Sequence, residues 1–219
     1  MSSLKRVLKQ VKTQLEQKER RRQNAQDSMR KATSLSKQSI LHVHQKRYSE
    51  ARKLIEKAKE TIVELEKTSQ TCPEIVQGGL FDAARQEYSE ANILLSLVEE
   101  SRFATPAEIR VPPMDYVLGL ADVIGEYRRL ALDALREGDV KKGENCLQTM
   151  DNIYVELMAL DEAYTLVPGL RRKCDIARKI IEATRGDITQ EVGRNSLEKH
   201  LRQLERTVER ARREQRANH

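Results

Sequence analysis

The chain has no tryptophan, and aromatic residues make up 4% of its 219 positions. Apolar residues of all kinds amount to 38%, against 34% charged residues. This balance suits long helices packed around thin cores better than the thick apolar core of a compact β-sandwich or barrel. The chain is long enough for one good-sized core. We therefore expect an all-α protein.

Long apolar runs and paired cysteines are also missing. No run approaches the roughly 20 residues that a membrane-spanning helix needs, and the N-terminal MSSLKRVLKQVKTQ lacks the apolar region of a signal peptide. Cys72, Cys146 and Cys174 are far apart, odd in number and without CxxC spacing, which argues against disulfides and zinc. His42 and His44 point to different sides of a helix, which argues against a metal site there. We expect a soluble, cytoplasmic protein with no membrane association.

Charge is distributed unevenly along the chain. Residues 1–60 contain 17 Lys and Arg against 6 Asp and Glu, whereas residues 82–126 contain 3 against 9. Residues 171–219 are basic again, with 14 against 8. A basic surface favours a polyanionic partner, most simply a nucleic acid, although charge alone also fits an ordinary solvated surface.

Helical patterns dominate, and no alternating strand pattern of useful length is present. Proline, glycine and capping residues divide the chain into about seven predicted helices in one domain, 1–219, whose last 15 or so residues fray. The predicted helices cover residues 4–44, 48–68, 80–102, 113–137, 140–165, 168–186 and 187–219. The first is expected to weaken near RRRQNAQDS, and Asp187 is expected to cap the last. Long helices separated by short turns favour a bundle.

Two carboxylates fall among apolar residues in the predicted helical stretch of residues 79–100, GLFDAARQEYSEANILLSLVEE. At roughly 100° per residue, one side of this helix is polar and the opposite side apolar. The polar side consists of Asp82, Arg85, Gln86, Ser89, Asn92, Ser96, Glu99 and Glu100. Glu87 and Glu90 fall instead in rows that they share with leucines. At a spacing of i,i+3 their side chains can reach a common point.

The predicted helix 113–137 repeats this arrangement. Apolar side chains cover most of it, and a narrow polar strip includes Asp122 and Glu126, which lie about 40° apart at i,i+4. A carboxylate held in a poorly solvated place is destabilising unless it is compensated. Arginines are one possible compensation, with Arg85, Arg128 and Arg129 as candidates. A hard divalent cation, which prefers oxygen ligands and would make phosphodiester hydrolysis possible, is the other.

Three segments resemble the translin family. PPMDYVLGLADVIGEYRRLALDALREGDV, which contains the acidic strip, is similar to the most characteristic segment of that family. QEYSEA and RKATSLSKQSILHVH also resemble family segments, and order and spacing agree from about residue 20 to 190. Within the family the chain is most similar to the translin-associated factor X type, which supplies nuclease subunits.

The resemblance implies an all-α fold of about seven helices that assembles into a hollow, octamer-like barrel and binds single-stranded RNA or DNA. It also implies a Mg²⁺-dependent endoribonuclease, with Mn²⁺ as an alternative ion, whose catalytic carboxylates are the metal ligands. These carry over to Glu87, Glu90, Asp122 and Glu126. Hydrolysis by an activated water would leave a 5′-phosphate and a 3′-hydroxyl. We expect a homo-oligomer, most simply a homo-octamer.

The predicted path of the nucleic acid follows the basic N-terminal helix. Arg30, Lys37 and His44 match basic positions of the family and would hold the phosphate backbone without reading bases. Two other functions stay open on sequence alone. One is a translin-like oligomer that binds nucleic acid without cleaving it, and the other is a structural scaffold whose carboxylates are ion-paired.

Overall fold

The computed structural model describes residues 3–76, 78–160 and 163–217. Within these ranges it contains nine α-helices and no β-strand, which confirms the all-α prediction. The helices are α1 (Ser3–His44), α2 (Tyr48–Thr71), α3 (Pro73–Val76), α4 (Gly79–Glu100), α5 (Pro106–Ile109), α6 (Pro113–Arg136), α7 (Val140–Met158), α8 (Ala163–Leu166) and α9 (Leu170–Ala217). In the same ranges, none is both long enough and apolar enough to cross a membrane.

The local signals explain some helix ends and fail at others. α6 begins at Pro113, as predicted, and Gly138 follows it with a φ of 79°. α1 shows no break at RRRQNAQDS. The predicted new helix at Asp187 is wrong, because α9 continues through Gly186 and Asp187. A glycine inside a helix costs only about 1 kcal/mol, and the Asp187 carboxylate pairs with Arg128 (3.1 Å) instead of capping a helix.

The chain forms two compact units. The first comprises Met1–Val123 and Asp161–Lys173, and the second comprises Ile124–Leu160 and Cys174–His219. Two of the three boundaries fall inside α6 and α9, so each of these helices contributes residues to both units. That the whole chain is a single domain remains a prediction.

In the first unit α1, α2 and α4 pack against one another. The face of α1 that enters the core carries small or flexible side chains at helical spacing, including Ala25, Met29, Ala32 and Ser36, all buried. Small residues allow neighbouring helices to approach closely, and the Ser39 hydroxyl donates a 3.0 Å hydrogen bond to the Ala51 carbonyl of α2.

In the second unit the buried residues come from the C-terminal half of α6, from α7 and from the part of α9 that begins at Cys174. α7 buries Cys146, Met150, Ile153 and Leu157 at helical spacing. Polar contacts join the helices at their edges: Arg128 donates to the Thr184 hydroxyl (2.8 Å), and Arg185 donates to both oxygens of Asp151 (3.0 Å each).

Candidate metal and nucleic-acid site

α4 is buried over more of its surface than the sequence indicates. Ser89 and Ser96, which the helical pattern places on the polar side, are buried. Glu90 is also buried, with 7% of its surface exposed, and Glu87 is half-buried. Glu90, which shares a row of α4 with a buried leucine, is thus buried as that leucine is.

α6 crosses α4 at Gly119. A Cβ on Gly119 would lie 2.7 Å from the Gln86 carbonyl oxygen, 2.7 Å from Ser89 Cβ and 3.0 Å from the Glu90 amide nitrogen. Only a glycine allows two helix backbones to approach so closely. Ser89 is buried because it faces this contact. The contact also lies within one helical turn of both Glu90 on α4 and Asp122 on α6.

Lysine side chains accompany two of the four predicted metal ligands. Lys37 of α1 pairs with Glu87 of α4, with 3.2 Å between Nζ and Oε1. Lys173, in the first turn of α9, donates a hydrogen bond to Oδ2 of Asp122. The pairs are partly solvated, with 25% of the Glu87 side chain and 37% of the Asp122 side chain exposed. Ammonium groups are therefore the counterions of these two carboxylates.

The predicted quartet is not gathered into a metal centre. Glu126 is half-buried on α6 one turn beyond Asp122, in the second unit. Within the described ranges, no three His, Cys, Asp or Glu side chains are grouped so that they could hold a metal ion. The assignment of Glu87, Glu90, Asp122 and Glu126 as metal ligands stays a prediction.

Two of the arginines considered as counterions for the quartet, Arg85 and Arg128, bind other carboxylates. Arg85 pairs with Asp115 through Nε (2.6 Å) and with Asp82 (2.6 Å), and its guanidinium lies 4.3 Å from the centre of the Phe81 ring. Burial raises the pKa of the Asp115 carboxyl above its ordinary value, although Arg85 acts in the opposite direction. The Arg85–Asp115 pair thus joins α4 to α6 beside the Gly119 contact.

A groove of about 450 Å³ runs along α1 and contains two of the three predicted nucleic-acid-binding residues. Its lining consists of Arg30, Thr33, Ser34, Lys37, Gln38, Leu41 and Leu80. Arg30 is exposed and pairs with Asp27 (3.3 Å), whereas Lys37 reaches from the groove to Glu87. His44 is half-buried near the end of α1 and is not among the residues of the groove.

The tyrosines beside the acidic residues belong to the core. Tyr88 and Tyr127 are buried, and burial raises the pKa of each phenol to about 12. Neither presents an exposed ring on which a base could stack.

The chain belongs to the Translin family, whose model matches residues 8–183. It is 36% identical over 136 residues to the uncharacterized protein MJ0175 of Methanocaldococcus jannaschii, a match that covers 62% of this chain. The chain spans 60% of the length of that relative.

Solved structures with the same fold include three C3PO structures. The crystal structure of AfC3PO is 34% identical, with a TM-score of 0.72, and the match covers 84% of this chain and 96% of AfC3PO. The AfC3PO–duplex RNA complex is 33% identical, with a TM-score of 0.71 and coverages of 84% and 95%. The crystal structure of apo-NeC3PO shares the fold at 23% identity, with a TM-score of 0.74 and coverages of 84% and 96%.

Proposed function

We propose that this member of the Translin family is a divalent-metal-dependent endoribonuclease of the translin-associated factor X type. Its substrate is single-stranded RNA. The proposed metal ligands are Glu87, Glu90, Asp122 and Glu126, and the proposed RNA-binding residues are Arg30, Lys37 and His44.

The observation that carries the proposal is the ion pair between Lys37 and Glu87. Lys37 lines the groove in which we place the phosphate backbone, and its ammonium group lies 3.2 Å from a proposed metal ligand. A phosphate in this groove would therefore lie next to the carboxylates. The relative AfC3PO forms a complex with duplex RNA, which supports a polyphosphate partner for this chain as well.

The donor set fits Mg²⁺ or Mn²⁺ by its chemistry. All four side chains offer carboxylate oxygens, which hard divalent ions prefer. The ammonium groups of Lys37 and Lys173 lie beside Glu87 and Asp122 and supply positive charge there, as a bound cation would. When bound, such an ion lowers the pKa of a water ligand and neutralises charge on the leaving oxygen.

The residues of the chain have two tasks in this proposal. The carboxylates bind the ion, and Lys37 and Lys173 neutralise two of them until it binds. If Glu87 held the ion, the ammonium group of Lys37, which lines the groove, would be available to bind a phosphate oxygen there. The backbone contact at Gly119 holds the segments that carry Glu90 and Asp122 against each other. Since water is the nucleophile and not the ribose 2′-hydroxyl, the products carry a 5′-phosphate and a 3′-hydroxyl.

The alternative is a translin-like oligomer that binds RNA without cleaving it. The lysine partners of Glu87 and Asp122 are also consistent with this function, because ion-paired carboxylates need no metal. A structural scaffold would have the same ion pairs but no affinity for RNA.

Cleavage assays distinguish the three functions. We propose incubation of end-labelled single-stranded RNA, duplex RNA and single-stranded DNA with the wild-type protein in Mg²⁺, in Mn²⁺ and in EDTA. The same assay is run for Glu90→Gln and Asp122→Asn, which remove charge and preserve shape. Glu99→Gln is the matched control, because Glu99 is also an α4 carboxylate, paired with Arg52 at 2.7 Å.

We expect the wild type and Glu99→Gln to cleave single-stranded RNA in the presence of the metal, with 5′-phosphate ends, and the two quartet variants to bind RNA without cleaving it. Retention of full cleavage by both quartet variants, or activity in EDTA, would reject the catalytic assignment. If the wild type binds RNA without cleaving it, the result supports the non-catalytic oligomer. If it does not bind RNA even at low salt, the result supports the structural scaffold.

We further propose that the chain works as a homo-oligomer, most simply a hollow homo-octamer in the cytoplasm. Light scattering coupled to gel filtration gives the mass of the particle. A monomer at working concentration would exclude a site enclosed by an assembly.

A further inference from the structure

The N-terminal end of α1 extends beyond the core and carries an exposed apolar stripe. Every described side chain from residue 4 to 24 is exposed. Within this segment Leu4, Leu8, Val11 and Leu15 are 43 to 65% exposed. Their spacings of four, three and four residues place them at the d and a positions of a heptad repeat, which is the pattern of a coiled-coil seam.

The C-terminal part of α9 carries a second stripe with the same spacing. Leu197, Leu201, Leu204 and Val208 are 42 to 61% exposed and again occupy d, a, d and a positions. This stripe lies outside residues 8–183, the segment matched by the Translin family. Two helices of one chain thus present matching apolar seams, each about 17 Å long.

We propose that the stripe on α1 of one protomer packs against the stripe on α9 of a second copy as a short antiparallel coiled coil. Antiparallel pairing sets Leu8 opposite Leu204 and Leu15 opposite Leu197. Each layer then contains one a and one d residue. We assign a second copy as the occupant of the α1 stripe because the α9 stripe matches it in spacing and length.

Charges beside the seam select this pairing. On α1 the e positions next to the stripe are Lys5 and Lys12, and on α9 they are Glu198 and Glu205. An antiparallel arrangement sets e against e, so Lys12 faces Glu198 and Lys5 faces Glu205. Two α1 stripes paired antiparallel would oppose lysine to lysine, and two α9 stripes glutamate to glutamate. Charges at these flanking positions set partner and orientation in coiled coils.

Two of these charged residues, Lys12 and Glu198, already have exposed partners within their own helices. Lys12 lies 3.8 Å from Glu16, and Glu198 lies 3.6 Å from Arg194. Such exposed i,i+4 pairs contribute little to stability, so exchanging them for contacts across the seam costs little. The next layer would place Lys18 opposite Arg194, and this repulsion limits the coiled coil to the two stripes.

Disulfide trapping tests the register and the partner. Two differently tagged chains, one with Leu8→Cys and the other with Leu204→Cys, are co-expressed, purified as a mixture and oxidised. We expect a disulfide-linked pair of the two tagged chains. Leu8→Cys with Leu197→Cys is the matched control, because a shift of seven residues separates the thiols by about 10 Å, beyond the reach of a disulfide. Wild-type chains measure the background from the native cysteines.

Charge exchange supplies a second measurement. Lys12→Glu and Glu198→Lys are each expected to reduce the trapped fraction several-fold, and the combined variant is expected to restore it. Arg6→Glu makes the same change of charge at a position that points away from the seam, and it should leave trapping unchanged. Equal trapping by the matched and shifted pairs, a disulfide within one chain carrying both substitutions, or failure of the combined variant to recover would overturn the proposal.

Discussion

Gly119 of α6 and Ser89 of α4 approach so closely that a Cβ on Gly119 would lie 2.7 Å from the Cβ of Ser89. The contact has consequences on both helices. On α4 it buries a serine that the helical pattern places in solvent, and on α6 it requires the glycine of the DYVLGLAD segment. The proposed ligands Glu90 and Asp122 lie within one turn of it, so their separation depends on this crossing.

Gly119→Ala should therefore disturb both stability and the site. The added methyl group meets backbone atoms of α4, which cannot move aside as the end of a flexible side chain can, and overpacking of this kind costs about 1–3 kcal/mol. We expect a lower denaturation midpoint in urea and weaker Mn²⁺ binding by the folded variant.

Gly125→Ala is the matched control, because nothing lies within 4 Å of a Cβ added at Gly125 on the same helix. There the substitution should stabilise the helix by about 0.5–1 kcal/mol. Equal stability of the two variants would show that the crossing at Gly119 tolerates a side chain.

Periodicity predicts the helices well and their breaks less well. Pro113 and Gly138 act locally on the backbone, so the limits of α6 follow from sequence. The continuity of α9 through Gly186 depends instead on the helix around it, and Asp187 pairs with Arg128, 59 positions earlier in the chain. A local capping signal is weak evidence when a distant side chain can use the same carboxylate.

In the candidate site, too, features that depend on one helix follow from the sequence, and features that depend on contacts between distant segments do not. The helical pattern identifies Glu90 as an inward carboxylate because this depends on α4 alone. The pairing of Lys173 with Asp122 was missed, since Lys173 stands in a basic RRK run with no periodic relation to α6. Gly119 belongs to the segment that carries the family resemblance, but its role becomes evident only when α4 lies against α6.

Lys173→Ala tests whether this lysine competes with a metal ion. Removing the ammonium group leaves the Asp122 carboxylate without this counterion, so a divalent cation should bind more tightly. A partly solvated ion pair contributes up to about 1 kcal/mol, which corresponds to an affinity gain of roughly fivefold. Titration with Mn²⁺, followed by its electron paramagnetic resonance, measures this without reference to catalysis.

Arg185→Ala is the control, because Arg185 also pairs with a carboxylate, Asp151, outside the proposed site. Its Mn²⁺ affinity should equal that of the wild type. Lower affinity in Lys173→Ala than in the wild type would mean that the lysine supports the site and does not compete with the ion.

The ion pair between the half-buried Arg85 and the buried Asp115 gives a pH-dependent prediction. Arg85→Met removes the partner of a buried carboxylate, and unfolding experiments at neutral pH should show a loss of about 3 kcal/mol. Burial already raises the pKa of Asp115, and loss of Arg85 raises it further. Because a raised pKa makes the folded chain hold a proton that the unfolded chain releases, stability falls as pH rises through it.

The loss of stability in Arg85→Met should consequently be complete at pH 7. It should shrink as the pH falls towards 3.8, which is the ordinary pKa of an aspartate such as Asp115. Urea denaturation at a series of pH values between these limits measures it. Arg102→Met removes an exposed arginine that pairs with Glu100 and Glu108, so its effect should be small throughout. A loss in Arg85→Met that does not change with pH would show that the buried carboxylate is not its cause.

Arg30→Ala tests the groove on α1. Arg30 is exposed, lines the groove and pairs with Asp27, so its loss should leave the fold intact and weaken RNA binding at all sequences alike. Loss of one phosphate contact reduces the slope of log affinity against log salt by about 0.7 for a single strand. Fluorescence anisotropy at several salt concentrations measures this slope, in an Asp122→Asn background that prevents cleavage.

Arg136→Ala is the control for Arg30→Ala, since Arg136 pairs with Asp133 three residues earlier (2.9 Å) in the same way but lies outside the groove. Both substitutions lower the net charge equally, so a general field effect would weaken binding equally in the two variants. If the RNA backbone instead contacts Arg30 in the groove, the slope of log affinity against log salt should change in Arg30→Ala and not in Arg136→Ala. An unchanged slope in Arg30→Ala would mean that the RNA backbone does not follow this face of α1, and Lys37 would then act on Glu87 alone.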